Sequence, residues 1–187
     1  MADVKQDLKK IFFCSGNEHK VREVTQILSG LDVEIVPINI NLPELQGDPQ
    51  IVAQQKCIEA FKRINAPVLI DDTSLCYDAK YFLEKLGHEG LNKMLDGFES
   101  RSAYAQCIFA LALNADEIKL FIGKTFGKIV RPRGSTNFGW DAIFEENISG
   151  KTYGEMNPDE KNKCSHRGKA LANFLEFINS INLEKQL

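Results

Sequence analysis

The sequence lacks several features that would assign a chain to a broad class of proteins. Basic residues are not in excess: 23 Lys and Arg are set against 26 Asp and Glu, and the formal net charge is −3. This balance gives no global reason to bind nucleic acid or an anionic membrane, so neither is an expected partner. The apolar run that follows the N-terminal lysines is too short for a signal-peptide core or a membrane span. We therefore expect a cytoplasmic protein.

The cysteines show no pattern that would indicate a disulfide framework or a metal site. The five cysteines are odd in number, widely spaced and without a C-x-x-C pair, which argues against a disulfide framework and a zinc site. We expect reduced thiols that mostly fill the core. At 187 residues and 43% apolar content, residues 1–187 fit one domain with a real core. Short helical patterns broken at Gly87 and Gly90 predict a smaller lobe at about residues 75–100.

The most informative stretch combines an apolar run with abrupt polarity. Val68–Ile70 is apolar without alternation, which predicts a strand buried on both faces. Asp71, Asp72 and Thr73 follow immediately and would lie just past the strand's C-terminal end. Ligands bind at that edge of open α/β sheets, so these residues are candidates for chemistry. The alternative is an ordinary Asx-type turn.

A second apolar run, Ile11–Cys14, leads into a polar turn and then a helical pattern. The turn contains Ser15, Gly16, Asn17 and Lys20. A strand, tight turn and helix direct backbone N–H groups and the positive helix end at one place, which suits phosphate. The turn is not a Walker A loop, and the alternative is a capped helix start with an incidental lysine. Val33–Pro37 is predicted as the next strand, completing a β-α-β unit.

Asp48 and Pro49 predict the start of a helix that reaches about Ile64. Its apolar face would include Ile51, Val52, Ile58 and Phe61. Lys56 falls near Val52, one turn on, where it either snorkels or faces an anionic partner.

The pattern of the second half is mostly that of strands. Tyr104–Leu113, Ile118–Ile122 and Thr125–Val130 are predicted strands, with helix as the alternative for 103–113. The only tryptophan, Trp140, is either a core plug at a lobe junction or a stacking surface for a planar ligand. Ser165 is a candidate cap for the last helix.

Five motifs together resemble those of the inosine triphosphate pyrophosphatase family, the Ham1-like proteins. They are Ser15-Gly16-Asn17 with Lys20; Leu42-Pro43-Glu44 with Gln46-Gly47; Asp71 to Cys76; Phe138-Gly139-Trp140-Asp141; and Glu160-Lys161-Asn162 leading to Ser165-His166-Arg167. They occur in order from about residue 11 to 178. The resemblance implies a mixed α/β fold with a long central sheet, flanking helices and two lobes around an active-site cleft. It also implies a homodimer that hydrolyses inosine, deoxyinosine and xanthosine triphosphates to the monophosphate and pyrophosphate.

The resemblance also implies a role for each matching residue. Glu44 and Asp72 would hold Mg²⁺, with Mn²⁺ as a substitute. Asp72 and the neighbouring Asp71 would be the catalytic acids, and Asp72 would orient or deprotonate the attacking water. The remaining residues would bind the purine nucleoside triphosphate: Ser15, Gly16, Asn17, Lys20, Lys56 and Lys80 on the phosphate side, Lys161 on the phosphate or sugar side, and Phe138, Gly139, Trp140, Asp141, Ser165, His166 and Arg167 around the base. Thr73 would also contact the substrate. Donors from His166 or Arg167 would favour a 6-oxo purine.

The sequence departs from the family pattern at one place. The family's Gly-Leu-Pro-Gly run before the lysine matching Lys80 is absent, since Ala79 precedes Lys80 directly. This departure puts the role of Lys80 in question. A non-catalytic nucleotide-binding or sensing protein is therefore the alternative function. A haloacid-dehalogenase-like phosphatase fits poorly, because it needs an acid at the position of Thr73.

Overall fold

A computed structural model describes residues 8–75 and 80–184. The strands are β1 (Lys10–Cys14), β2 (Glu34–Ile38), β3 (Val68–Leu75), β4 (Ser102–Ala112), β5 (Ile118–Ile129) and β6 (Phe144–Glu146). The helices are α1 (Glu18–Ile27), α2 (Pro49–Ile64), α3 (Lys80–Lys93), α4 (Pro158–Cys164) and α5 (His166–Glu184), and 3₁₀ turns form at Asp141–Ile143 and Tyr153–Glu155.

The strands form one six-stranded mixed sheet in the order β2-β1-β3-β4-β5-β6. β1 is parallel to β2 and β3, whereas β5 and β6 are antiparallel. α1 connects β1 to β2, so the predicted β-α-β unit is confirmed. With helices flanking the sheet, the predicted mixed α/β fold is also confirmed.

The described residues divide into two compact units, each with its own core. The first consists of residues 8–72, Ile108–Phe121 and 171–184. In it Phe121 meets Phe174 edge-on, with 5.4 Å between ring centroids. The second consists of 73–75, 80–107 and Ile122–Ala170. Its buried cluster is Leu75, Leu91, Leu95, Ala103, Ala105, Ile129, Ile143, Phe144 and Tyr153. The smaller lobe at about residues 75–100 stays a prediction.

β3 is longer than predicted. Val68–Ile70 is buried as expected, but the strand continues to Leu75, so Asp71 and Asp72 lie within it rather than in a loop past its end. The pairing with β1 ends at Ile70, while β4 borders β3 on its other side. The two acids therefore extend beyond the end of the parallel neighbour, which explains why the polar residues begin there. Side chains alternate along a strand, so the two acids point to opposite faces.

Tertiary packing decides several other elements. The helical alternative for 103–113 is wrong, because this stretch forms the almost fully buried β4. The two strands predicted between 118 and 130 are the single strand β5. α2 has the predicted bounds, but Ile51 is 58% exposed, and the buried face is formed by Val52, Ala53, Cys57 and Ala60.

The described cysteines agree with the expectation of reduced, core-filling thiols. Cys14, Cys57 and Cys107 are buried and Cys164 is half-buried, all as free thiols. Burial raises the pKa of Cys14 and of Cys57 to about 12. Cys76 lies outside the described residues. Among the helices of the described segments, none is long and apolar enough to cross a bilayer.

Candidate active site

The turn between β1 and α1 is a capped helix start. Asn17 Oδ1 accepts hydrogen bonds from the backbone N–H groups of His19 and Lys20, at 3.0 and 3.2 Å. Ser15 Oγ in turn accepts from Asn17 N–H. Two of the N–H groups expected to meet phosphate are thus engaged by the cap. An open cavity of about 430 Å³ lies against this turn, lined by Ser15, Gly16, Glu18, Val21, Arg22 and Asn39.

Lys20 is not an incidental lysine of the turn. Its Nζ lies 2.8 Å from Asp71 Oδ1, and the Asp71 side chain is fully buried. An unpaired carboxylate at such a position would pay a large desolvation cost, and the lysine offsets it. The contact therefore joins the turn after β1 to the acidic stretch of β3.

Lys56 faces anionic partners rather than snorkelling. Its Nζ lies 3.1 Å from Glu44 Oε2 and 3.1 Å from Asp72 Oδ1. Burial disfavours the ammonium, but the Asp72 and Glu44 carboxylates outweigh it and raise the pKa of Lys56 above its usual value. Two carboxylates from a loop and from β3 thus converge on one cation.

The Phe138–Asp141 loop carries a buried ion pair. Asp141 Oδ2 lies 2.5 Å from Lys161 Nζ, and the two residues are 7% and 6% exposed. The same ammonium lies 4.1 Å from the centroid of the half-buried Phe138 ring, a cation–π distance. The loop and α4 therefore hold each other in one geometry.

An aromatic cluster surrounds this pair. Trp140 contacts the rings of His166, Phe144 and Tyr153, with 5.3, 5.5 and 6.1 Å between centroids. The imidazole of His166 stacks on Tyr153 at an interplanar angle of 17°. Trp140 packs on the core yet remains half-buried. Trp140 therefore packs against the core of the second unit, and its stacking on a ligand stays a prediction.

Ser165 caps α5, as predicted, since its Oγ accepts from the N–H of Gly168 at 3.0 Å. This cap fixes Arg167 in the first turn, where the residue is 1% exposed and its Nη2 donates to Thr73 Oγ1 at 3.1 Å. An added Cβ at Gly168 would lie 1.8 Å from Asn162 O, so glycine alone allows this approach of α4 and α5. His166 and Arg167 are thus buried donors rather than surface charges.

Three neighbours of the site were missed by sequence reasoning. Tyr153 is one, since nothing in its local sequence predicts a stacking partner for His166. The others are on α3: His88 Nε2 lies 2.8 Å from Gly139 O, and Asn92 Nδ2 lies 2.9 Å from Val130 O. Their i, i+4 spacing is the signal that could have suggested a shared face.

The structure also bears on a metal and on Lys80. The described residues contain no group of three or more His, Cys, Asp or Glu arranged to hold a metal ion. Glu44 and Asp72 nevertheless suit Mg²⁺, which commonly takes one or two carboxylates and keeps several waters. Their convergence on the ammonium of Lys56 shows that a positive charge is accommodated between them. The backbone of Lys80 begins α3, and its side chain lies outside the described part.

The chain is similar to known proteins in both sequence and fold. The inosine triphosphate pyrophosphatase of Emericella nidulans is 46% identical over 181 residues, which cover 91% of this chain and 97% of that protein. A HAM1 protein structure from Coxiella burnetii matches with a TM-score of 0.79 at 27% identity, covering 91% of this chain and 98% of the other. A Mycobacterium abscessus structure described as a nucleoside-triphosphatase or dITP/XTP pyrophosphatase matches with a TM-score of 0.66 at 27% identity, covering 89% and 98% of the two chains. The sequence profile of the Ham1 family matches residues 11–177, and the chain belongs to the Ham1 family.

Proposed function

We propose that the protein hydrolyses non-standard purine nucleoside triphosphates, those of inosine, deoxyinosine and xanthosine, to the monophosphate and pyrophosphate. Such an activity removes deaminated purines from the nucleotide pool. The observation that carries the proposal is the convergence of Glu44 and Asp72 on one cation, 3.1 Å from each carboxylate. Membership of the Ham1 family and the 46% identity to an inosine triphosphate pyrophosphatase support it.

The phosphate side is proposed to use Lys20, Lys56 and the turn between β1 and α1. Lys20 is held by Asp71 at 2.8 Å and Lys56 by Asp72 at 3.1 Å, so both ammonium groups are positioned before substrate arrives. Pre-positioned charge costs no reorganisation when a triphosphate binds, which favours catalysis by electrostatic stabilisation. The polar atoms of Ser15, Gly16 and Asn17 would complete the phosphate contacts.

Glu44 and Asp72 are the proposed ligands of Mg²⁺, for which Mn²⁺ could substitute. The bound metal would neutralise phosphate charge and activate water. Asp72 is also suited to orient that water, because its side chain is 19% exposed, whereas that of Asp71 is fully buried. Lys56 would exchange its carboxylate partners for phosphate oxygens as substrate and metal enter.

The base side is proposed to use the aromatic and basic residues around the Phe138–Asp141 loop. Phe138 offers a half-buried ring, with Lys161 and Arg167 near its face. Buried donors such as His166 and Arg167 fit the acceptor O6 of a 6-oxo purine, whereas the amino group of adenine would leave a donor unpaired. Thr73, through its contact with Arg167, would help to fix the donor.

A homodimer and a cytoplasmic location complete the proposal. The homodimer rests on the family resemblance. The location is supported by Cys14, Cys57 and Cys107, which are free thiols in the described part of the chain, as expected for a reducing compartment.

A substrate panel tests the proposal. Pyrophosphate release would be measured with Mg²⁺ for the triphosphates of inosine, deoxyinosine, xanthosine, adenosine and guanosine. We expect the first three to be hydrolysed much faster than adenosine triphosphate. Guanosine triphosphate shares the 6-oxo group, so its rejection would have to come from contacts near its 2-amino group. Binding of inosine triphosphate without turnover would instead support the alternative, a nucleotide-sensing protein.

A further inference from the structure

We propose that His88 and Asn92 of α3 form a clamp that positions the Phe138–Asp141 loop and so sets the affinity for the purine base. The link to base affinity rests on the function proposed above, whereas the clamp rests on contacts within the second unit. His88 is a positioning residue in this proposal, because it acts through the loop.

The clamp contacts both ends of the segment that connects β5 to Trp140. Asn92 Nδ2 donates to Val130 O, 2.9 Å away, where the chain leaves β5. His88 Nε2 contacts Gly139 O at 2.8 Å, directly before Trp140. Residues four apart on a helix lie on the same face, one turn above the other. A single face of α3 therefore holds both ends of the segment between β5 and the tryptophan.

The contact with Gly139 fixes the direction of a peptide group. A carbonyl oxygen only accepts, so Nε2 of His88 must carry the donated hydrogen. Gly139 has a φ of 50°. Glycine adopts positive and negative φ with similar ease, so the residue does not hold this conformation by itself. In a trans peptide the N–H of the next residue points away from the carbonyl oxygen. Holding the oxygen of Gly139 thus also sets the N–H of Trp140.

The helix face that carries the clamp is itself held in place. Asn92 is 6% exposed, and its Oδ1 accepts from Arg101 Nη1 at 2.9 Å. Arg101 Nη2 also pairs with Asp96 at 2.7 Å. The non-helical φ of 65° at Gly87 makes His88 the first residue after the kink. The donor of His88 therefore projects from a fixed frame.

The test uses the full chain and four variants. His88→Ala removes the donor, His88→Leu removes it while keeping bulk, and His88→Gln keeps an amide donor near the position of Nε2. The exposed neighbour Glu89 supplies the matched control, Glu89→Ala. Emission of the only tryptophan, Trp140, reports on the loop directly, and circular dichroism checks that each variant is folded.

The expected result separates the clamp from general stability. His88→Ala and His88→Leu should raise KM for inosine triphosphate roughly three- to ten-fold, the scale of one hydrogen bond, with little change in kcat. Both should shift the Trp140 emission, and His88→Gln should restore both properties. Inhibition by inorganic tripolyphosphate, which has no base, should be the same in all variants.

Three outcomes would overturn the clamp. One is an unchanged KM and emission in a folded His88→Ala or His88→Leu, another is a lower kcat at unchanged KM, and the third is a His88→Gln variant that behaves like His88→Leu. If the wild type releases no pyrophosphate from inosine triphosphate, the proposed function fails. The emission spectra would then still decide whether His88 positions the loop.

Discussion

The ammonium of Lys20 lies 2.8 Å from the carboxylate of Asp71, whose side chain is completely buried. The adjacent acid, Asp72, points to the opposite face of β3 and contacts a different lysine, Lys56. Two neighbouring acids therefore have separate partners. We propose that Asp71 holds Lys20 in position and that Asp72 is the acid available for chemistry.

Removal of Lys20 should destabilise the fold more than removal of both charges. Lys20→Met removes the ammonium that compensates the buried Asp71 carboxylate, and we expect a loss of up to about 3 kcal/mol in the free energy of unfolding, since Lys20 is partly exposed. The double variant Lys20→Met with Asp71→Asn should recover much of this loss. Urea unfolding of the wild type, both single variants and the double variant measures the coupling. Additive effects would show that the pair is not coupled.

Magnesium should compete with Lys56 for its two carboxylates. In Lys56→Gln, Glu44 and Asp72 lose the ammonium that compensates their charge, so the metal-free protein should be less stable than the wild type. Added Mg²⁺ should then raise the Tm of Lys56→Gln more than that of the wild type, because no ammonium has to be displaced. Thermal melts with Mg²⁺ and with a chelator test this. If Mg²⁺ raised the Tm of Glu44→Gln as much as that of the wild type, Glu44 would not be a ligand of the metal.

Arg167 should contribute to base selectivity. We expect Arg167→Ala to lower kcat/KM for inosine triphosphate and to reduce its advantage over adenosine triphosphate by about ten-fold or more, the scale of one buried polar contact. Thr73→Val should have a smaller effect in the same direction, because it removes one acceptor of Arg167 Nη2 but keeps the guanidinium itself. Steady-state kinetics with both substrates measures the ratio. An equal loss of kcat/KM for inosine triphosphate and adenosine triphosphate would instead indicate that Arg167 binds the sugar or phosphates that both substrates share, or supports the fold.

Glu145 should make stability depend on acid pH. A hydrogen bond from Lys128 lowers the pKa of Glu145, and contacts with Arg133 lower it further. Burial acts in the opposite direction, but the pKa stays below its usual value. The folded state then binds fewer protons than the unfolded state, so the stabilisation is complete above the ordinary pKa of 4.5 and is lost as pH falls through the lowered value.

Glu145→Gln should remove this dependence. The difference in free energy of unfolding from the wild type should be greatest near neutral pH and shrink on acidification, as measured by urea unfolding across the acid range. Glu117→Gln removes an exposed ion pair with Lys119, 3.4 Å apart, and should have little effect at any pH. A constant difference for Glu145→Gln would contradict the assignment.

Local sequence patterns predicted the elements whose formation depends on nearby residues. Asp48 and Pro49 correctly marked the start of α2, because a cap and a proline act within one turn. The extension of β3 to Leu75 was missed, because the neighbouring strand that pairs with it lies far along the chain. The exposure of Ile51 was also missed, because the hydrophobicity of a residue does not say whether its side of the helix faces the core.

The site residues were named from motifs, but their contacts were not predictable from the chain. Lys161 and Asp141 are twenty residues apart and form one buried pair. Arg167 and Thr73 are even further apart in sequence. Which donor meets which acceptor depends on the register of strands and the packing of α4 and α5. The contact between His88 and Gly139 was not predictable, because every residue has a backbone carbonyl and the amino-acid pattern does not say which one is contacted.

The most direct test of the proposed hydrolysis is product analysis of the wild type and Asp72→Asn. With inosine triphosphate and Mg²⁺, we expect inosine monophosphate and pyrophosphate in equal amounts without orthophosphate. Asp72→Asn should be slower by roughly 10²- to 10³-fold, the usual cost of one group that stabilises the transition state, while its Tm and nucleotide binding remain near the wild type. Release of orthophosphate, binding without turnover, or full activity in Asp72→Asn would contradict the account.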